Sequence, residues 1–427
     1  MNDSSSNISK PQLTISPPGS RGAYAWLVVA LLWVVALLNY MDRQMLSTMK
    51  DAMKIDIQEL QSAERFGFLM AVFLYIYGFM SPVAGSIADR INRKWLIVGS
   101  LLVWSSVTYG MGMATSFNQL LWLRGLMGVS EALYLPAGLA MIADYHTGKT
   151  RSLAIGIHMT GLYAGQALGG FGATVAAAYS WHTAFHWFGI VGIVYAFVLI
   201  LLLKDTKTPK TSVTNKDEKI PLAKGLASLF SNIAFWVILF YFAAPSLPGW
   251  ATKNWLPTLF ADSLHIPMSK AGPMSTITIA VSSFAGVILG GILSDRWVQK
   301  NIRGRVYTSA IGLGLTIPAL IFLGFGHSLF AVIGAAVCFG VGFGMFDANN
   351  MPILCQFVSP RLRATAYGFM NMVGVFAGAF ITSLLGKATD EGHLGENFAM
   401  MSVIVIIAVL LQLWLLKPKT NNYTDTD

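Results

Sequence analysis

Apolar residues run along this chain in stretches of about 20, separated by short polar segments. At 1.5 Å per residue, each stretch is long enough to cross the ~30 Å hydrocarbon core of a bilayer as one helix. The pattern predicts twelve helices, over residues 23–45, 65–87, 95–114, 119–143, 152–178, 185–203, 232–256, 273–294, 306–325, 329–357, 364–386 and 397–416. Lipid offers no partner to an exposed backbone N–H or C=O, so continuous helices satisfy such a chain. The expected fold class is an all-α integral membrane protein with twelve transmembrane helices.

Composition agrees with this and removes the alternatives. With 55% hydrophobic and 11% charged residues the chain is far from a soluble domain, which carries roughly 25% charge. Twelve crossings use about 240 of the 427 residues, so a separate soluble domain is not needed. The 29 Lys and Arg against 20 Asp and Glu give a net charge of +9, which raises nucleic acid as a partner. Placement argues for the bilayer instead. The cations collect in alternate loops and the two tails, whereas the opposite loops hold Lys50, Lys54, Lys270 and Lys387. This positive-inside asymmetry predicts that both termini are cytoplasmic and that the helix count is even.

The longest internal polar interruption, 204–231, is rich in lysine and divides the chain. The expected organisation is a disordered cytoplasmic tail (1–22), a six-helix bundle (23–203), a cytoplasmic central loop (204–231), a second six-helix bundle (232–416) and a cytoplasmic tail (417–427). The tail of residues 1–22 lacks the apolar core of a signal peptide, so the first helix is expected to be retained. An internal repeat supports the division. Gly85-x-x-x-Asp89-Arg90-x-x-Arg93-Lys94 follows the second helix and Gly291-x-x-x-Asp295-Arg296 follows the eighth, 206 residues later.

The Gly85–Lys94 segment resembles the signature loop of the major facilitator superfamily, and Arg124-x-x-x-Gly128 is similar to its fourth-helix motif. The resemblance implies two pseudo-symmetric six-helix bundles that rock about a central site. Physically, Gly85 would let two helices approach closely, and Asp89 could cap the positive end of a neighbouring helix. Arg90, Arg93 and Lys94 supply cytoplasmic charge, with Asp295 and Arg296 as their counterparts in the second half. The plainer reading is that these cations only set topology.

A charge at the bilayer centre costs roughly 2.5–3.5 kcal/mol on insertion scales, so intramembrane ions are candidates for function. They are Asp42, Arg43, Arg124, Glu131, Lys253 and Asp347. Asp42 and Arg43 are adjacent, hence about 100° apart on a helix, and each needs a partner from elsewhere or a snorkelling route to water. Arg124 and Glu131 are seven residues apart, on one face but ~10.5 Å apart along the axis, so they share an environment rather than an ion pair. Lys253 reads as an anchor near the outer end of the seventh helix, and Asp347, with Asn349 and Asn350, as packing glue in the tenth.

The run around Asp42 and Arg43, with Trp122–Gly125 and Gly128–Ala132, resembles the anion:cation symporters, which include hexuronate and galactonate transporters and sialin. Tyr77, the Arg151, Gly156, Gly161 and Gly165 spacing, and Arg363–Gly368 with Asn371, Gly374 and Gly378 are similar to that family as well. The resemblance implies a proton-coupled carrier of a small organic anion such as a sugar acid or other monocarboxylate, in a bacterial inner membrane. Two departures, Met159 and Leu139 where asparagines are expected, alter the hydroxyl-binding set. Asp89–Lys94 and Trp104–Thr108 also resemble the spinster family, so a lysolipid carrier or a proton-coupled drug or metabolite exporter is the alternative.

Asp42 and Glu131 are the expected proton-coupling residues, and Arg43 and Arg124 the expected carboxylate binders, since guanidinium matches carboxylate in geometry. Tyr77, His158, Gln166 and Asn371 are further candidates for substrate contact, with an ordinary interhelical hydrogen bond as the plainer role. Burial opposes the charge of Glu131 and the two cations favour it. A substrate anion that neutralises the arginines would therefore make Glu131 easier to protonate, and solute and proton would bind together. No nucleotide loop or catalytic constellation is present, His182 and His186 lack a third metal ligand, and no cofactor or metal is expected. The protein is expected to act as a monomer and not as an enzyme.

Overall fold

The computed structural model describes residues 19–146, 150–205, 222–360 and 362–421. Most of the expected tails and of the central loop thus lies outside the described residues, as do the side chains of Asp89 and Arg90. Among the described residues there is no strand and there are twelve long helices. They are α1 Gly19–Leu46, α2 Ala63–Arg90, α3 Arg93–Met111, α4 Phe117–Tyr145, α5 Arg151–Gly169 and α6 Trp181–Leu202 in the first half. The second half has α7 Ile233–Leu264, α8 Met268–Val298, α9 Gly304–Phe325, α10 Leu329–Asp347, α11 Arg363–Asp390 and α12 Leu394–Leu415. Ten are long and apolar enough to cross a membrane. The other two, α3 and α5, carry more polar residues, including Ser105 and Thr108 in α3 and His158 and Gln166 in α5.

Polar caps set where many of these helices begin. Ser62, Asn92, Ser116, Ser180, Asn232 and Ser328 each accept a hydrogen bond from a backbone N–H of the first turn of α2, α3, α4, α6, α7 and α10. Several expected elements differ. The stretch 152–178 breaks after Gly169, and a short helix, Gly172–Ala178, follows. Glycines at the break weaken the helix, and Gly170 sits against the Gly272 carbonyl of α8. The stretch 329–357 breaks at Ala348 and Asn349 before a short helix, Asn350–Leu354. Within the stretch expected as a central loop, Leu222–Ser231 is helical and buries Leu229.

The neighbour pattern repeats after a shift of six helices. In the first half α1 packs on α5, α2 on α4, and α3 on α4 and α6; in the second α7 packs on α11, α8 on α10, and α9 on α10 and α12. The halves meet along α2 with α11 and α5 with α8, two seams that the same shift interconverts. Close packing within a half relies on glycine: a Cβ at Gly161 of α5 would lie 2.6 Å from the Trp33 carbonyl of α1.

Contacts between the halves are concentrated at the end of the bundle opposite the termini, here the far end. There the Asp390 carboxylate of α11 accepts hydrogen bonds from Ala63 N (2.7 Å), Glu64 N (3.0 Å) and Ser62 Oγ (2.7 Å), so it caps the N-terminus of α2. A Cβ at Gly67 would meet the Thr382 carbonyl at 2.8 Å, and one at Gly272 the Gly170 carbonyl at 2.5 Å. Gln44 Nε2 of α1 donates to the Lys253 carbonyl of α7 at 2.7 Å. That carbonyl lacks its ordinary helical donor because Pro257, four residues on, has no N–H. Toward the terminal end the seams thin out: Asn371 Nδ2 donates to Ser81 Oγ at 3.1 Å, and beyond it Gly85, Gly156, Gly291 and Gly368 have open space where a Cβ would stand.

Asp390 is exposed and water competes for its hydrogen bonds, so the cap contributes about 0.5–1.5 kcal/mol to closure of the far end, a factor of a few to about ten. Asp390→Ala is expected to raise maleimide labelling of a reporter Ser275→Cys, placed at a buried position of α8, by about that factor in a Cys338→Ser/Cys355→Ser background. Unchanged labelling would mean that the cap does not contribute to closure.

Candidate functional site

The charge cluster is assembled from α1 and α4, with α2 and α3 completing its walls. Arg43 Nε donates to Glu131 Oε2 at 2.5 Å. The Arg43 guanidinium also lies over the rings of Tyr40 (5.1 Å), Phe73 (4.9 Å) and Tyr77 (4.6 Å). Arg124 lies 4.5 Å over the same Phe73 ring and reaches Met127 Sδ at 3.2 Å. Asp42 accepts from Thr108 Oγ1 of α3 at 3.2 Å. Adjacent Asp42 and Arg43 thus find separate partners on separate helices, as their angular spacing requires.

These groups are removed from water. Glu131 is 0% exposed, Arg124 3% and Asp42 4%, and the Arg43 side chain 12%. Two acids and two guanidiniums sum to zero charge, which is what makes the burial tolerable. Hydrogen-bonding capacity is nonetheless left over: Asp42 Oδ1, Glu131 Oε1, Arg124 Nε and Asn39 Nδ2 have no hydrogen-bond partner, with Asn39 standing beside Glu131. Spare acceptors on both acids give each one a place for a proton.

A cavity of about 80 Å³ lies next to the cluster and between the halves. Its walls come from α1, α5, α7, α8 and α10, and its polar lining includes Tyr40, Tyr163, Gln166, Thr252, Ser283, Lys253 and Asp347. Tyr40 joins the two regions, since Arg43 approaches its ring at 5.1 Å and Lys253 Nζ at 5.9 Å. Lys253 is therefore not an anchor at the outer interface. The seventh helix does not stop near residue 256 but continues through Pro257 to Leu264, which leaves Lys253 inside the bundle. Asp347 is likewise more than packing glue: it faces the cavity at the break between α10 and Asn350–Leu354.

The remaining candidates fall in different places. Tyr77 joins the cluster against Arg43 and stacks on Phe73 at 5.8 Å, and Gln166 lines the cavity. His158 is buried against Tyr134 at 6.0 Å, away from the cavity lining. Asn371 makes the α2–α11 hydrogen bond to Ser81. In the repeated loop, Gly85 makes no close helix approach here. Arg93 pairs with Asp144, and Lys94 Nζ donates to the Ile200 carbonyl at 2.8 Å, both within the first half. Asp295 and Arg296 are exposed, and Asp89 and Arg90 lie outside the described side chains.

Twelve helices in two related bundles, with buried ions beside a cavity at their interface, are the build of a membrane carrier and not of an enzyme. The chain belongs to the major facilitator superfamily, whose family model matches residues 32–383. It is 25% identical over 415 residues to a hexuronate transporter of Bacillus subtilis, covering 92% of this chain and 94% of that one. It is also 26% identical over 406 residues to a sphingosine-1-phosphate transporter of Mus musculus, covering 87% of this chain and 72% of the relative. The fold matches the crystal structure of a bacterial homologue of the human lysosomal transporter spinster, in an inward-facing and occupied conformation. That match has a TM-score of 0.78 at 19% identity, over 94% of this chain and 99% of that one.

The Arg43–Glu131 pair has a thermodynamic signature. Removing one partner of a buried pair strands the other, at about 3–5 kcal/mol. Arg43→Met or Glu131→Leu alone is expected to lower the thermal unfolding temperature of the detergent-purified protein markedly, and the double substitution to recover most of the loss. Additive losses would mean that the two ions are not coupled.

Proposed function

We propose that this carrier imports a small organic anion, a sugar acid or other monocarboxylate, together with protons, by alternating access. The observation that carries the reading is the neutral buried cluster in which Arg43 holds Glu131 while the other oxygen of that carboxylate stays without a partner. A substrate carboxylate drawn to Arg43 displaces Glu131 from its counterion. A bare carboxylate at a site with no exposure is too costly to persist, so Glu131 takes up a proton. The linkage is reciprocal: protonating Glu131 frees Arg43 for the solute. Asp42, with its own spare oxygen and its neighbour Arg124, is the second proton-coupling group in this cluster.

The conformation fits one step of such a cycle. The positive-inside pattern assigns the termini to the cytoplasm, so the closed far end faces outward and the open terminal end inward. We take the direction as import into a bacterial cell across its inner membrane, by a monomer; the likeness to the hexuronate transporter supports this reading only as to solute class. Co-import of more than one proton with a monoanion moves net charge, which the membrane potential drives by about 2.3 kcal/mol per charge per 100 mV. A second reading, a spinster-like lysolipid carrier, draws on the mouse relative. The cavity of about 80 Å³ favours the smaller solute.

Liposomes holding the purified protein are expected to accumulate a monocarboxylate such as glucuronate or lactate when an inward proton gradient is imposed. Glu131→Gln should abolish gradient-driven accumulation while leaving solute exchange within about tenfold of the parent. Flux of a lysolipid without any carboxylate flux would overturn the anion reading.

A further inference from the structure

The coupling cluster belongs wholly to the first half, and neither Arg43 nor Arg124 lines the cavity. The ions that do line it, Lys253 on α7 and Asp347 on α10, come from the second half. Each is the other's chief opposite charge, yet they close no ion pair within 4 Å among the described residues. Lys253 Nζ is held instead over Trp250 at 4.7 Å and Tyr40 at 5.9 Å, and Asp347 Oδ1 accepts from Asn350 Nδ2 at 3.1 Å. An ammonium and a carboxylate thus face one small cavity with room between them.

A solute anion entering that space is attracted by Lys253 and repelled by Asp347. At a few ångströms and an effective dielectric near 20, either interaction amounts to several kcal/mol, so the repulsion cannot be ignored. The ionisable groups around Asp347 are Lys253 and Tyr241 on α7, Tyr40 on α1, Tyr163 on α5 and Tyr367 on α11. Lys253 is the single cation among them, and a bound carboxylate would occupy it. Asp347 would then face an anion with no counterion of its own. A proton on Asp347 removes the repulsion and converts the side chain from an acceptor into a donor toward the solute.

We propose that Lys253 and Asp347 form a second anion-and-proton site, in which Lys253 receives the substrate carboxylate before it passes across the shared Tyr40 ring to Arg43, and Asp347 carries a proton in with it. No bond in the solute is made or broken; the proton enters on Asp347 from the outward side and leaves to the cytoplasm when the solute departs. The proposal rests on the organic-anion reading above and extends it: coupling is divided between the halves, with one device at Arg43 and Glu131 and another on the cavity wall. Its geometry also gives Tyr40 a part, as the ring that both cations share.

The experiment measures glucuronate and lactate affinity against pH with the purified protein, and the proton-to-solute ratio from reversal potentials in liposomes. Each coupled proton adds about tenfold to the change in affinity per pH unit. Asp347→Asn is expected to bind the anion with a pH slope reduced by one such decade, tighter than the parent at high pH, and to lower the proton-to-solute ratio by one. Lys253→Gln is expected to weaken binding at least tenfold across the pH range, and it tests the anion half of the proposal even where Asp347→Asn fails to fold. A parent protein that shows proton-driven uptake, with an unaltered slope and ratio in Asp347→Asn, overturns this inference alone. Unaltered affinity in Lys253→Gln does the same. A parent protein that moves no carboxylate overturns the organic-anion reading and this inference with it.

Discussion

The cost of holding an ion away from water governs this structure. Glu131 and Arg124 are almost wholly buried; Glu131 is held by the Arg43 guanidinium, and Arg124 lies against the face of Phe73 within a cluster whose charges sum to zero. The first half is arranged around that requirement: α4 supplies one cation and one acid on a single face, α1 supplies the complementary two, and α2 supplies Phe73 and Tyr77. A pair whose members depend on each other is also one that a competing anion can take apart, and the proposed coupling draws on that same constraint.

The same economy appears where the halves meet. At the far end the contacts are to groups that a helix leaves unsatisfied: the first N–H groups of α2, capped by Asp390, and the Lys253 carbonyl orphaned by Pro257 and filled by Gln44. These hydrogen bonds are ones that water could replace, and they stand beside close glycine contacts such as Gly67 on the Thr382 carbonyl and Gly272 on the Gly170 carbonyl. Gln44 lies two residues from Asp42 and one from Arg43, and it bonds the backbone of Lys253, so the far-end seam runs directly past the charged centre.

Much of this was legible in the linear chain because it follows from local chemistry. Twelve apolar stretches, a lysine-rich interruption and a loop repeated 206 residues apart define two six-helix halves. Asp42, Arg43, Arg124 and Glu131 stand out as ions in greasy surroundings, and the seven-residue spacing on α4 already places two on one face. What was missed was missed for a physical reason. Lys253 looked peripheral because Pro257 reads as a helix end, yet in α7 the orphaned carbonyl is satisfied by Gln44 and the helix runs on. Asp347 looked like packing because nothing local reveals that the tenth helix breaks beside it and opens onto a cavity. Asp390, at the end of α11, gave no signal at all, since its partners are 326–328 residues away in the chain.

The amino-acid sequence by itself determined that this protein lives in a bilayer, in two related halves, and that a few ions must be buried, since hydrophobicity, helix length and desolvation act through residue type and spacing alone. Only the tertiary structure decided which ion faces which, that Arg43 takes Glu131 while Lys253 and Asp347 share the cavity, and which end of the bundle is closed. Those outcomes depend on distances between helices far apart in the chain, and electrostatic and hydrogen-bond energies are set by distance.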